Sequence, residues 1–416
     1  MRARPAPLAV AAAMAWSCGP SGPTVAVAGT VVQADGSSPQ SLTVQVRTGA
    51  YRATVTPDAT GRFQLSGVPV PYDAVVFDGK CVATVYQGLR RSDPTLTNSA
   101  LHPGSSRSAV ISGRVTGLPS PTPSHVYDLL WTGFVSTRGT SGVVLIVGLD
   151  QPTFQLTVNW NGPERITGDL HLLAGVQGAG SQTSFDGYGV LRDLSLTNGG
   201  RVTVPDLALE PAPSSTLSGS VTLPSGYYDG SVFESTLARP GAAAGFAFNV
   251  ADQTASFSFP IPMLSGLAIQ VQLVAQASNG ARGLVRQEWQ PGGQNPRLSL
   301  PPPVELLSPA AGASVSPRSA LFSWSPMQGA GLYQVAIGNG GCGEIEIYTS
   351  ETSFLLPDFS SVGFSWTPQI SWNVSTQSSP TTVDALAGAV SPLAVLQQEN
   401  LAVTSSPARA LTLLLQ

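Results

Sequence analysis

Chemistry needs polar side chains that converge, and few residues of this 416-residue chain are candidates. Its three histidines, His102, His125 and His171, fall in separate loop or strand contexts. None belongs to an H-E-x-x-H pair or to a Cys/His pair at metal-ligand spacing, so they read as exposed or singly hydrogen-bonded. Gly338-Asn339-Gly340-Gly341-Cys342-Gly343 fits G-x-G-x-x-G, but that fingerprint works only when a helix follows and turns its N-terminus to the pyrophosphate. Here Glu344-Ile345-Glu346-Ile347-Tyr348 follows and alternates like a strand, so the glycines read as a hairpin turn. Glu344 and Glu346 share one face of that strand. They read as charges keeping an edge soluble, not as a glycosidase pair facing across a cleft. Asp58 beside Thr60 offers one carboxylate where calcium takes six to eight oxygens, and reads as a turn former. Trp131, Trp160 and Trp289 would be sugar-stacking platforms if exposed; core packing is the expected place for such large aromatics. The G-x-S-x-G elbow and the P-loop are absent, and Asn373-Val374-Ser375, a glycosylation triplet, sits in a strand-like run. No catalytic, cofactor-binding or metal residues are expected, and the chain is not expected to be an enzyme.

The elements that would position any site are strands. Forty-four glycines and 35 prolines punctuate the backbone too often for long helices. Hydrophobic residues make up 42%, enough to fill several small cores and too many for a disordered chain. The length allows roughly two to four domains. Charged residues are only 11%, with net charge −4 and Lys80 as the sole lysine. No basic patch emerges, so no nucleic-acid partner is expected.

The first residues form an address. Arg2 and Arg4 precede a short apolar run, residues 8–16, which cannot span a bilayer but suits a secretory signal. Ala15-Trp16-Ser17-Cys18, with small residues ahead of a cysteine, resembles the lipobox of bacterial lipoproteins. That resemblance implies a signal peptide over 1–17, lipidation of Cys18 and a Gly/Pro/Ser tether over 18–23. Cys81 and Cys342 fall in different expected units. They read as small apolar residues, and a bridge between them is not expected.

Three segments open alike: Val27-Ala28-Gly29-Thr30-Val31, Ile111-Ser112-Gly113-Arg114-Val115 and Leu217-Ser218-Gly219-Ser220-Val221. Each is followed by a second matching strand around Phe63, Phe154 or Phe257, which lies 34, 41 or 38 residues after the central glycine. Period-two runs bounded by Gly and Pro, repeated in the same order, predict all-β, tandem small antiparallel β-sandwich domains. Gly29-Thr30-Val31, the run from Thr56 to Phe63, Gly67-Val68-Pro69 and Tyr72 together resemble the carboxypeptidase regulatory-like family. That family implies a transthyretin-like, non-catalytic sandwich over 24–104; the strand pattern extends it to related modules at 106–211 and 214–301. From Pro303 the texture changes. Leu321-Phe322-Ser323-Trp324, Tyr333-Gln334-Val335-Ala336-Ile337 and Ser371-Trp372-Asn373-Val374 resemble a fibronectin type III-like domain, taken over 304–416. An insert at 383–403 carries short helical pieces limited by Pro392, and linkers are expected near Pro103, Pro211–Pro213 and Pro301–Pro303.

These readings lead to a non-enzymatic cell-envelope lipoprotein, placed at the outer membrane or cell surface. Its modules would be a scaffold for binding or adhesion, its partners the membrane through the lipid and envelope proteins or glycans. The alternative is an accessory or structural subunit of an envelope assembly or of a secreted hydrolase system.

Overall fold

A glycine facing a phenylalanine organises the first sheet of each of three successive units. Thr24–Gln33 pairs antiparallel with Arg62–Pro69, placing Gly29 opposite Phe63. Ser106–Thr116 pairs with Thr153–Asn161, Gly113 opposite Phe154. Ser214–Thr222 pairs with Ser256–Pro262, Gly219 opposite Phe257. The ring lies across the bare backbone: a Cβ on these glycines would sit 2.3, 2.8 and 2.2 Å from the ring's Cζ. On its other side each opening strand pairs in parallel with a closing strand, Thr95–Asn98, Arg201–Thr203 or Arg297–Ser299.

The computed structural model describes residues 23–33, 39–98, 106–118, 127–136, 139–146, 153–177, 183–237, 247–252, 256–290, 293–327, 329–338, 343–357, 359, 363–378, 382–389 and 401–414. Over these the protein is all-β, made of small, mostly antiparallel sandwiches. The second layer of each unit has four strands in the same sequence-order pattern. In the first unit they are Tyr51–Val55, Thr43–Thr48, Tyr72–Phe77 and Val82–Leu89. In the second they are Gly139–Ile146, Tyr127–Ser136, Arg165–Gln177 and Thr183–Thr197. In the third they are Ala247–Asp252, Tyr227–Leu237, Ala268–Ala277 and Arg282–Trp289. Alternation supplies the cores: in the first unit Val44, Val46, Ala74, Val76 and Tyr86 turn inward to meet Val27, Val31, Phe63 and Leu96.

The last strand of each four-stranded layer is an edge, and the three edges are closed differently. That of the first unit, Val82–Leu89, pairs in parallel with Glu344–Thr349 of the C-terminal unit. That of the third, Arg282–Trp289, pairs antiparallel with Leu401–Ser405, again from the C-terminal unit. Between them run Leu332–Gly338 and Gln369–Gln377, so one sheet passes through the first, C-terminal and third units. Among the described residues the strand paired along the edge of the second unit, Thr183–Thr197, is Glu210–Pro211 of its own tail. The second unit packs against the third instead, through Trp131, Leu173, Phe185, Ala212, Leu264 and Leu267.

Sharing a sheet also shares cores. Val75, Phe77, Ala83 and Val85 of the first unit pack with Trp324, Ile345, Ile347 and Trp372 of the C-terminal unit. On the other face Leu332, Tyr348 and the short helix Val383–Ala387 pack into the first unit's core.

Three expectations are corrected. Glu344–Thr349 is no soluble edge: it is paired on both sides, and Glu344 is 5% exposed. Its charged alternation marks a face, whereas its neighbours are set by contacts distant in sequence. Cys81 is disulfide-bonded, not a free apolar residue. Separation into units does not hold residue 81 away from the C-terminal unit, because the Gly343 and Glu344 N–H groups donate to the Cys81 carbonyl at 3.1 and 2.9 Å. Cys342 itself lies outside the described residues. The Pro211–Pro213 stretch is held rather than loose, with the Ala212 N–H bonded to the Asp186 carbonyl at 2.9 Å and Ala212 5% exposed.

Candidate functional site

A cleft of about 580 Å³ opens where the parallel pair Val82–Leu89 and Glu344–Thr349 ends. Its polar lining includes Arg47, Asp73, Gln87, Arg90, Glu351 and Asp384. Arg47 and Asp73 are opposite each other across Thr43–Thr48 and Tyr72–Phe77. They share a face with Val75 and Phe77, so the apolar row packing on the C-terminal core turns polar as it reaches the cleft. The Arg47 Nε lies 3.6 Å from the Asp73 Oδ2, while the Asp73 Oδ1 accepts the Gly88 N–H at 3.0 Å. Burial pushes the Asp73 carboxyl above the usual carboxylate range against the pull of Arg47, and lowers the Arg47 guanidinium.

The wall contributed by the C-terminal unit is fixed by its helix. Thr382 caps Val383–Ala387 by accepting the Ala385 N–H at 3.0 Å. The Asp384 Oδ1 accepts the backbone N–H groups of Arg90 and Arg91 at 2.8 and 3.2 Å, and the Arg91 guanidinium donates to the Asp384 carbonyl at 2.9 Å. Tyr72, 1% exposed, donates its hydroxyl to the Arg91 carbonyl at 2.7 Å. The walls thus come from segments nearly three hundred residues apart, locked by three hydrogen bonds. The Gln87 Oε1 is buried without a hydrogen-bond partner.

Two ionisable groups away from the cleft also have shifted acidities. Burial pushes the Glu346 carboxyl up to about 7, opposed by its hydrogen bonds with Tyr348 and Gln334. His171, 2% exposed, shares a 2.8 Å hydrogen bond with the Tyr188 hydroxyl. Burial lowers its imidazole to about 4, Asp169 pulling up and Arg192 down.

The residues singled out in the sequence scatter. Cys18, His102 and His125 lie outside the described residues. Asp58 is a turn former: its Oδ1 accepts from the Thr60 N–H and hydroxyl and the Arg62 N–H, at 2.8, 2.7 and 3.0 Å. Trp131 and Trp160 are 3% and 5% exposed, and Trp289 is half-buried against the third core, so none of the three is an open platform. Among the described residues no group of three or more His, Cys, Asp or Glu could hold a metal. Arg47, Asp73 and Gln87, which build the cleft, are ordinary polar positions of alternating strands. No sequence signal marked them.

No family model and no curated protein matches the chain. Among solved structures it is similar to an adhesin candidate from Bacteroides ovatus, at 12% identity and TM-score 0.17, covering 46% of this chain and 89% of that one. It is similar to a tip fimbrial protein of Porphyromonas gingivalis at 10% identity and TM-score 0.17, covering 45% and 84%. A pilus adhesin of Lactobacillus rhamnosus is matched at 12% identity and TM-score 0.16, covering 66% and 41%. Likenesses this slight carry no argument about what the chain does.

Proposed function

We propose that the chain is a non-enzymatic binding scaffold of the bacterial cell envelope, tethered by lipid on Cys18 and presenting its β-modules for adhesion or recognition at the surface. In this reading residues 1–17 are a removed signal peptide and 18–23 a tether. Residues 24–104, 106–211 and 214–301 are carboxypeptidase regulatory-like modules, and 304–416 is fibronectin type III-like. The observation that carries the binding role is the cleft: a polar concavity held between two units by a shared sheet and a clamped helix, with one buried acceptor unpartnered in its lining residue Gln87. Pre-organised polar groups in a concave site suit non-covalent recognition, since little ordering cost remains on binding.

The reading is tested by expressing the chain and its Cys18→Ser variant in a Gram-negative host. The expected mature N-terminal peptide begins at Cys18 with a diacylglyceryl mass. Intact cells should present the chain to added protease and attach to surfaces better than cells carrying the variant. A lipid-free N-terminus elsewhere, or equal attachment by both strains, would overturn it. The second reading, a structural subunit of an envelope assembly, draws on Tyr51–Val55. This strand pairs with Thr43–Thr48 on one side and has no strand on the other among the described residues. Its mark would be a complex of defined stoichiometry in mild detergent.

A further inference from the structure

We infer that the cleft between the first and C-terminal units is a binding site for a neutral, hydroxyl-rich ligand, a short oligosaccharide, an assignment that rests on the binding-scaffold reading above. The mixture of charges is the first argument. Arg47 and Arg90 face Asp73, Glu351 and Asp384 around one opening. An anion would meet a carboxylate wherever it met an arginine, and a cation the reverse.

Hydrogen-bonding capacity is the second. Gln87 lines the cleft, and its Oε1 is buried and lacks a donor. Asp384 and Asp73 are already engaged through their Oδ1 atoms, and the Asp73 Oδ2 lies 3.6 Å from the Arg47 Nε, so both carboxylates are held in place on the lining. The Arg90 guanidinium and the Ser350 hydroxyl supply donors beside these acceptors. A sugar hydroxyl both donates and accepts, and vicinal hydroxyls match a lining in which carboxylate, amide and guanidinium groups alternate.

Shape is the third. Gly49 and Gly88, both at positive φ, line the cleft with nothing within 4 Å of where a Cβ would be, and Pro71 lies beside them. They leave that part of the lining without projecting side chains, where the C–H face of a pyranose could rest. A volume of about 580 Å³ falls within the range of small-ligand sites and admits a few sugar rings.

The full chain would be titrated by calorimetry and by ligand-observed NMR with neutral trisaccharides of glucose, mannose, galactose and N-acetylglucosamine, alongside inorganic phosphate and a trilysine peptide. At least one trisaccharide is expected to bind. Gln87→Leu should weaken it by about tenfold or more, the loss of one well-placed hydrogen bond. Because Gln87 is partly buried, Arg90→Ala and Glu351→Ala, both at exposed positions of the rim, serve as variants that leave the packing alone; each should weaken binding several-fold. The inference is overturned if no trisaccharide binds at up to about 10 mM, if phosphate or trilysine binds in its place, or if binding ignores all three variants. Cell attachment that depends on Cys18 but ignores these variants would overturn this assignment and leave the scaffold reading standing.

Discussion

Gly29, Gly113 and Gly219 do the same task in three places, yet they are not equally irreplaceable. At Gly29 and Gly219 an added Cβ would meet both a ring and a backbone carbonyl, the Pro94 oxygen at 2.9 Å and the Pro296 oxygen at 2.7 Å. At Gly113 the contacts within reach are side chains, Val204 and Phe154, at 2.6 and 2.8 Å. Alanine at Gly29 or Gly219 is therefore expected to cost about 1–3 kcal/mol by overpacking, and alanine at Gly113 less, as read from chemical denaturation. His171 and the half-buried Glu346 predict opposite responses to acid. His171 has its folded pKa lowered to about 4, so its contribution to stability is present above about pH 6.5 and is lost as pH falls towards 4. Glu346 has its folded pKa raised to about 7, so its contribution is present below about pH 4.5 and is lost as pH rises through 7. Each amounts to something on the order of 2–3 kcal/mol. Hydrogen exchange at pH 7.5 and pH 5 should then show Arg165–Gln177 loosening in acid while Glu344–Thr349 tightens, the latter effect fading in Glu346→Gln.

The helix Val383–Ala387 is too short to be stable alone and is held by what it touches. Asp384→Ala removes the acceptor for two backbone N–H groups and should cost about 1–3 kcal/mol, seen as faster exchange in both the helix and Arg90–Arg91. At this scale the sequence was partly readable. The Gly–Phe repeats and the alternating runs around Phe77, Leu172 and Val271 become strands because period-two alternation is a local property of a half-buried layer. Glu344–Thr349 was legible as a strand and illegible as an interior one: which edges it covers depends on contacts with Val82–Leu89, far away in the chain. The cleft was hidden for the same reason. Arg47, Asp73 and Gln87 look like any outward polar residues until a second unit is laid beside them. The second unit shows how an equivalent edge is covered by its own tail: Leu209 covers Gly187 and Gly189, while Asp193, at positive φ, breaks the register further along.

The continuous sheet makes the first, C-terminal and third units one mechanical body, with the second docked on the third. Cys81, next to the Val82–Leu89 edge, is disulfide-bonded. Only Cys18 and Cys342 are available to pair with Cys81, and the neighbour of Cys342 is already bonded to the Cys81 main chain. Peptide mapping without reductant is expected to recover Cys81 linked to Cys342, leaving Cys18 free for lipid; a link from Cys81 to Cys18 would contradict the anchor. The order of synthesis gives this arrangement a further consequence. Val82–Leu89 leaves the ribosome long before Glu344–Thr349, and Arg282–Trp289 before Leu401–Ser405, whereas the edge of the second unit meets its cover, Glu210–Pro211, almost at once. Two bare strand edges must therefore wait, available to any passing chain, until the C-terminal unit arrives to close them. A chain cut short after Ser299 would keep all three Gly–Phe sheets and yet leave both edges open for good.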